Sequence, residues 1–266
     1  MRFAPGLVLL LAACSGPQQR NAPGVHPTIV SLNPCADAIL AEIAAPGQLL
    51  AVSHYSHDPA ASSMSAEQAA LYASTGGTAE EVLALAPDIV VADTFIPPST
   101  RHALEQAEIA VVTMGMVNTL EESLAQIETL GAATGNTVRA ETLSRDIAAS
   151  WQDRRWHGEP ATALLWQQGG IVAGEGSLAH ALLEHSGFAS LSAARGLGQG
   201  AYLPLENVLA DPPQVVIAAG DEIAFDHPAM IRSVAHYDLD SSLLYCGGPT
   251  IPRALAQLGE IRRRVE

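Results

Sequence analysis

The stretch "GGTAEEVLALAPDIVVADTF", Gly76 to Phe95, is a turn, a helix and a strand in direct succession. Two turn glycines open it, and a helix is expected over Ala79–Ala86, beginning "TAEE" and ending "ALAPD". The apolar run "DIVVA", Asp88–Ala92, then reads as a strand. The same cadence returns as "AYLPLENVLADPPQVVIAAGD", Ala201–Asp221, with a helix over Pro204–Ala210 and a strand in "QVVIAAG". Two matched units, one in each half, predict two α/β lobes.

Alternation extends outward from both units. Ahead of the first, "TIVSL" (Thr28–Leu32) and "LLAVS" (Leu49–Ser53) read as strands around the helical "CADAILAEIA", with the polar "HYSHDPAASS" following. After it come helix "PPSTRHALEQA" and strand "IAVVTM", Ile109–Met114. Apolar strands alternating with helices imply parallel sheets covered on both faces, with the working loops at the strands' carboxyl ends. Thr119 and Glu122 form a capping box that starts a helix at Leu120. "GAATGN" (Gly131–Asn136) interrupts the helical pattern, which resumes from Thr137 to about Trp156; one kinked helix and two helices both fit. The second half restarts with strand "ATALLW" (Ala161–Trp166), the glycine-rich turn "GGIVAGEGS" and the helix "LAHALLEHSG". "SSLLYC", Ser241–Cys246, reads as the last strand before the terminal helix "PRALAQLGEIRRR". The expected organisation is a signal segment over 1–14, a tether over 15–27, an α/β lobe over 28–118, a helical connector over 119–157 and a second α/β lobe over 158–266.

The chain has 266 residues, 48% hydrophobic and 15% charged, which suits packed cores. Thirteen basic residues against 28 acidic give a net charge of −15 and argue against a nucleic-acid partner. "MRFAPGLVLLLAAC" is too short to span a bilayer and reads as an export signal. "LAAC" resembles the lipobox of bacterial lipoproteins, which makes Cys14 the acylated residue; a signal cleaved elsewhere is the alternative. "SGPQQRNAPGVHP" has a tether's composition. Cys35 and Cys246 fall in opposite halves. An oxidising compartment permits them to pair, but spacing gives no sign of it, and two free buried thiols are the expectation.

The phrases "TIVSLNPCADAILAEI", "LLAVSHYSHDP", "GGTAEEVLALAPDIVVA", "TLEESLAQIETLGAATG", "GGIVAGEGSLAHALLEHSG" and "LENVLADPPQVVI" together resemble the periplasmic substrate-binding proteins of ABC importers for cobalamin and ferric siderophores. Each is weak alone; their order, from Thr28 to the end of the chain, carries the likeness. The resemblance implies two Rossmann-like lobes with parallel sheets, a long rigid helix joining them, and a ligand cleft between. It further implies a monomer that hands a small metal chelate to a membrane permease and its ATPase, with no catalysis and no resident cofactor. The protein would be periplasmic and held to the membrane through Cys14. Glu80 and Glu206 occupy the positions at which family members present a carboxylate to permease arginines.

The strand-end loops supply the candidate ligand contacts. The first lobe offers Asn33, Cys35, His54, Tyr55, His57, Asp58, Thr94 and Phe95. From the second come Trp166, Gln167, Gln168, Arg195, Tyr202, Asp226, His227, Tyr245 and Cys246. Aromatic rings suit a flat macrocycle, and the scarcity of cations beyond Arg195 and Arg253 favours a corrinoid over an anionic ferric siderophore. His54, His57 and Asp58 are types that bind a transition metal, so an exported metal- or haem-binding protein is the alternative reading and a metal-dependent enzyme a further one. No second HxxH or CxxC completes a closed metal site. The remaining enzyme signatures fail: "GGIVAGEGS" lacks the Gly-Lys-Ser/Thr of a P-loop, and Ser177 with His180 and His185 has no third orienting group.

Overall fold

Most strands of the first lobe are short apolar runs followed by a helix, and this alternation builds a parallel sheet. The computed structural model describes residues 26–220 and 234–265. The expectations for Cys14, Asp226, His227 and the signal segment fall outside these residues. β1 (Ile29–Ser31), β2 (Leu49–Ser53), β3 (Ala73–Thr75), β4 (Ile89–Asp93) and β5 (Ala110–Met114) align in the order β3-β2-β1-β4-β5. Every pair is parallel. The helices are α1 (Pro34–Ile43), the single turn α2 (Ala66–Ala69), α3 (Ala79–Leu85) and α4 (Pro98–Gln106). Local chemistry sets their starts. Asn33 Oδ1 accepts from the amides of Cys35 and Ala36 at 2.9 and 3.0 Å, with Pro34 behind it, and Thr78 caps α3.

The helical stretch resolves into two helices, α5 (Leu120–Thr134) and α6 (Thr137–Asp153). Thr119 Oγ1 accepts from the Glu122 amide at 3.1 Å, as the capping box predicts. Gly135 ends α5 in the left-handed region at φ 72°, turning the chain in two residues. The joint docks on the first lobe through buried amides: Gln48 Nε2 donates to Thr134 O at 2.8 Å, and Asn136 Nδ2 donates to Gln48 Oε1 at 2.8 Å. α6 is the bridge. At its start Arg139 donates to Ala44 O at 2.5 Å, and near its end Trp151 stacks on His185 of the second lobe at 4.0 Å between ring centroids.

The second sheet comprises β6 (Ala161–Gln167), β7 (Ile171–Val172), β8 (Phe188–Ser190), β9 (Ala201–Tyr202), β10 (Val215–Ala219) and β11 (Ala235–Leu239). Its order is β11-β10-β6-β7-β9, with β8 pairing the start of β6. This sheet is mixed, where two parallel sheets were expected: β7 runs antiparallel to β6 and to β9. Gly169 and Gly170, at φ 76° and 83°, reverse the chain directly after β6, so the "GGIV" read as a turn is half turn and half strand. The helices are α7 (Leu178–His185), the single turn α8 (Leu191–Ala194), α9 (Leu205–Ala210) and α10 (Thr250–Arg264).

"SSLLYC" is not a strand. Asp240 Oδ1 accepts from the Ser242 amide at 2.9 Å and captures Ser241–Leu243 as a 3-10 turn. The strand ahead of it, β11, sits at the sheet's edge with polar exposed residues, which hid it from a reading by hydrophobicity.

One apolar core spans both lobes. It joins Ile39 and Ile43 of α1, Ile127 and Leu130 of α5, Ile147 of α6 and Leu165 of β6 to Ile251 and Leu255 of α10, all at 2% exposure or less. Two smaller cores lie on the far faces of the sheets, around Val30 and Val90 in one and Leu164 and Val216 in the other.

Candidate functional site

The two sheets turn their carboxyl edges toward a common cleft, and the loops leaving those edges line it. A central chamber of about 380 Å³ is walled on one side by Asn33, Cys35, Asp93–Phe95 and Met114–Val117. Its other wall holds Gln167, Ile171–Ala173, Ser177–Ala179 and Leu244–Gly247. An outer chamber of about 660 Å³ shares Gln167, Ile171 and Tyr245 with it and adds Asp238, Asp240 and Ser241. A third, of about 270 Å³, lies within the first lobe between His54, Tyr55, Thr75, Gly76 and Phe95.

Cross-lobe bonds fix the floor of the cleft. Cys35 and Cys246 form a disulfide with Cα atoms 5.2 Å apart. The expected free thiols are therefore corrected: 211 residues of sequence separate them, and only the docking of α1 against the loop before α10 brings them together. Ser63 Oγ donates to Ser242 O at 2.8 Å, Arg253 Nη1 to Ser63 O at 3.2 Å, and the Gly248 amide to Ser123 Oγ at 2.6 Å.

The predicted contacts divide. Asn33, Cys35, Phe95 and Tyr245 meet in the central chamber; Phe95 is 82% exposed and Tyr245 42%. His54 and Tyr55 line the first-lobe chamber, their rings 4.1 Å apart. His57 is exposed on the same turn but borders none of the three chambers. Trp166 is 3% exposed and belongs to the far-side core with Val172 and Val216, because its place in the strand alternation points it away from the cleft. Arg195 turns to the end of α9, donating to Asp211 O at 2.8 Å and pairing with the Asp211 carboxylate at 3.1 Å. Tyr202 is exposed but lies over Gly170, so Gln199 and Gly200 reach the chamber in its place. Met114, Met116, Gln126 and Leu178 line the cleft without having been singled out. Strand-end position was the signal for the two methionines; nothing in the sequence marked Gln126 or Leu178.

Asp37 supports the His54–Tyr55 turn from beneath. Its Oδ2 accepts from the Ser53 amide at 2.9 Å and the Ser56 hydroxyl at 2.6 Å. Burial pushes its pKa up from 3.8 to about 7, against those bonds, which favour the charged form.

Charge around the cleft is one-sided. Asp93, Asp238 and Asp240 line it, and among the described residues no arginine or histidine borders the central or outer chamber. The chain contains no lysine. Among the described residues no three His, Cys, Asp or Glu side chains gather as a metal site. The exposed carboxylates Glu80 and Glu206 stand in the first turns of α3 and α9. Neighbouring Glu81 instead folds back to accept from Thr75 Oγ1 at 2.9 Å and the Gly76 amide at 2.7 Å, bonds that lower its pKa.

Solved structures share this architecture. The periplasmic heme-binding protein HutB of Vibrio cholerae matches with a TM-score of 0.74 at 16% identity, over 89% of this chain and 98% of that one. The periplasmic vitamin B12 binding protein BtuF of Vibrio cholerae matches at 0.69 and 21%, over 90% and 98%. A periplasmic heme binding protein from Pseudomonas aeruginosa matches at 0.66 and 24%, over 89% and 92%. Identities this low speak for the fold alone. No curated protein sequence matches the chain. The family model described as periplasmic binding protein matches residues 29–235, and with most of the chain inside that match the protein belongs to the periplasmic binding protein family.

Proposed function

We propose that the protein is the substrate-binding component of an ABC importer and captures a bulky metal chelate, a corrinoid ahead of a ferric siderophore. The observation that carries the reading is the cleft itself. It lies between two clasped lobes and presents Phe95, Met116, Tyr245 and Ile171 as apolar contact surface, with Asn33, Gln126, Gln167 and Gln199 as uncharged hydrogen-bonding groups. Rings and thioethers cover a flat macrocycle at small entropic cost, and amides answer the amide-bearing periphery of a corrinoid. A siderophore with several anionic oxygens meets no lysine or arginine in the described lining. The vitamin B12 and heme named for the neighbours agree in size and shape with such a guest.

Capture is then followed by delivery. Glu80 and Glu206, one on each lobe and both exposed, are the proposed docking carboxylates for permease arginines. Cys14 is the proposed lipid anchor, and the protein acts as a periplasmic monomer with no resident cofactor. Difference spectroscopy with cobalamin, haem and ferric chelates tests the binding role, which predicts one-to-one binding without turnover; an unchanged spectrum with every one of them ends it. The double variant Glu80→Lys/Glu206→Lys is expected to abolish uptake while retaining chelate affinity. Normal transport by that variant removes the docking assignment.

A further inference from the structure

We propose that the cleft selects by charge, preferring chelates of net positive charge over neutral and anionic ones, and that Asp93, Asp238 and Asp240 make the selection. The inference deepens the chelate-binding reading and rests on it. Asp93 ends β4 and faces both the central and the first-lobe chambers. Its Oδ1 accepts from the Phe95 amide at 2.5 Å, which fixes the carboxylate beside the exposed ring. Asp238 and Asp240, at the end of β11 and just beyond it, line the outer chamber. Gln167, Ile171 and Tyr245 border both interlobe chambers, so the three carboxylates line adjoining spaces that share a wall.

No arginine or histidine stands in the described lining of those two chambers; His236, outside it, has Nε2 3.8 Å from Asp238 Oδ1. The chain's 13 basic residues are all arginines. Of the two that the sequence offered to the cleft, Arg195 is held by Asn207 and Asp211, and Arg253 donates to Ser63 O outside the lining of either chamber. The positive ends of α1 and α7 reach the central chamber already capped, Asn33 Oδ1 taking two amides and Ser177 Oγ accepting from the His180 amide at 3.2 Å. Among the described lining residues of the two interlobe chambers, full charge is therefore negative, on a molecule carrying −15 overall. A concave site with low-dielectric walls focuses such a field, raising the local concentration of cations and excluding anions. Exposed carboxylates are screened, so each contributes about two- to fivefold to the preference for a cationic guest.

A matched pair isolates charge from shape: diaquocobinamide and dicyanocobinamide share one ring and differ only in axial ligands. Titrating both into the full chain is expected to show about tenfold tighter binding of the cationic form at low salt, shrinking at high salt. Cationic ferrioxamine B is expected to outbind a ferric tris-catecholate in the same way. In the triple variant Asp93→Asn/Asp238→Asn/Asp240→Asn, whose amides keep the backbone bonds of Asp93 and Asp240, the preference falls to within about twofold. Equal or tighter binding of the neutral or anionic partners overturns the proposal, as does a triple variant that keeps the wild-type preference. If no member of the panel binds, and cobalamin and haem do not bind either, the chelate-binding role itself fails. That result is distinct from binding without charge preference, which spares the role and removes only the selection.

Discussion

At the scale of the residue, Asp37 is fully buried in the first turn of α1, with Oδ1 unpartnered among the described residues. Its folded pKa of about 7 lies above the 3.8 of the unfolded chain. The native state therefore binds the extra proton between those values, and stability falls as pH rises from about 4 to about 7. Asp37→Asn carries no such proton. Its stability relative to wild type should accordingly rise by about 1–3 kcal/mol from pH 5 to pH 8, read from urea unfolding at the two pH values. A difference that stays constant with pH would show that the carboxyl is not buried as described. Trp166 and Phe95 make a second contrast. Both are aromatic and close to a strand's carboxyl end, so sequence ranks them alike. Trp166→Ala should cost about 3–5 kcal/mol of stability. Phe95→Ala should change stability by less than about 0.5 kcal/mol yet weaken chelate binding by about 0.5–1.5 kcal/mol, as calorimetry would measure.

Elements were legible wherever a local signal specified them. The Thr119–Glu122 box, the Asn33-Pro34 cap and the alternation through Gly76–Phe95 each set a helix start or a strand from a few neighbouring residues. Joints were not legible in this way. "GAATGN" announces an interruption, but two helices rather than one kinked helix follow from Gly135 at φ 72° together with the Gln48–Asn136 bond to the distant turn before β2. Gly131 permits the close crossing: a Cβ there would lie 2.3 Å from Ala140 Cβ. Gly131→Val should separate α5 from α6 and cost about 1–3 kcal/mol or more in urea unfolding, whereas Gly47→Ala, with open space around it and φ 76°, tests backbone strain alone.

At the scale of the whole molecule, the disulfide, the two hydrogen bonds of Ser63 to the second lobe, the Gly248–Ser123 bond to α5 and a core shared by both lobes act on the same joint. Closing so long a loop restricts the unfolded chain, so Cys35→Ala/Cys246→Ala should lose about 2–5 kcal/mol of stability. Thermal melting of the double variant beside reduced wild type measures it; matching loss in both is expected, and no loss in either would show that the bridge does not form in solution.

What the sequence determined by itself was every feature held in composition or short-range pattern: two α/β halves, the helices between them, the capped starts and the net negative charge. Periodicity and caps are properties of adjacent residues, and they survive any arrangement in space. The tertiary structure alone decided that Cys35 meets Cys246, that Trp166 faces a core while Phe95 faces the cleft, and that β7 runs backward. Each of those outcomes depends on which side of a sheet a residue occupies or on a partner far along the chain, and packing of the assembled lobes is what fixes both.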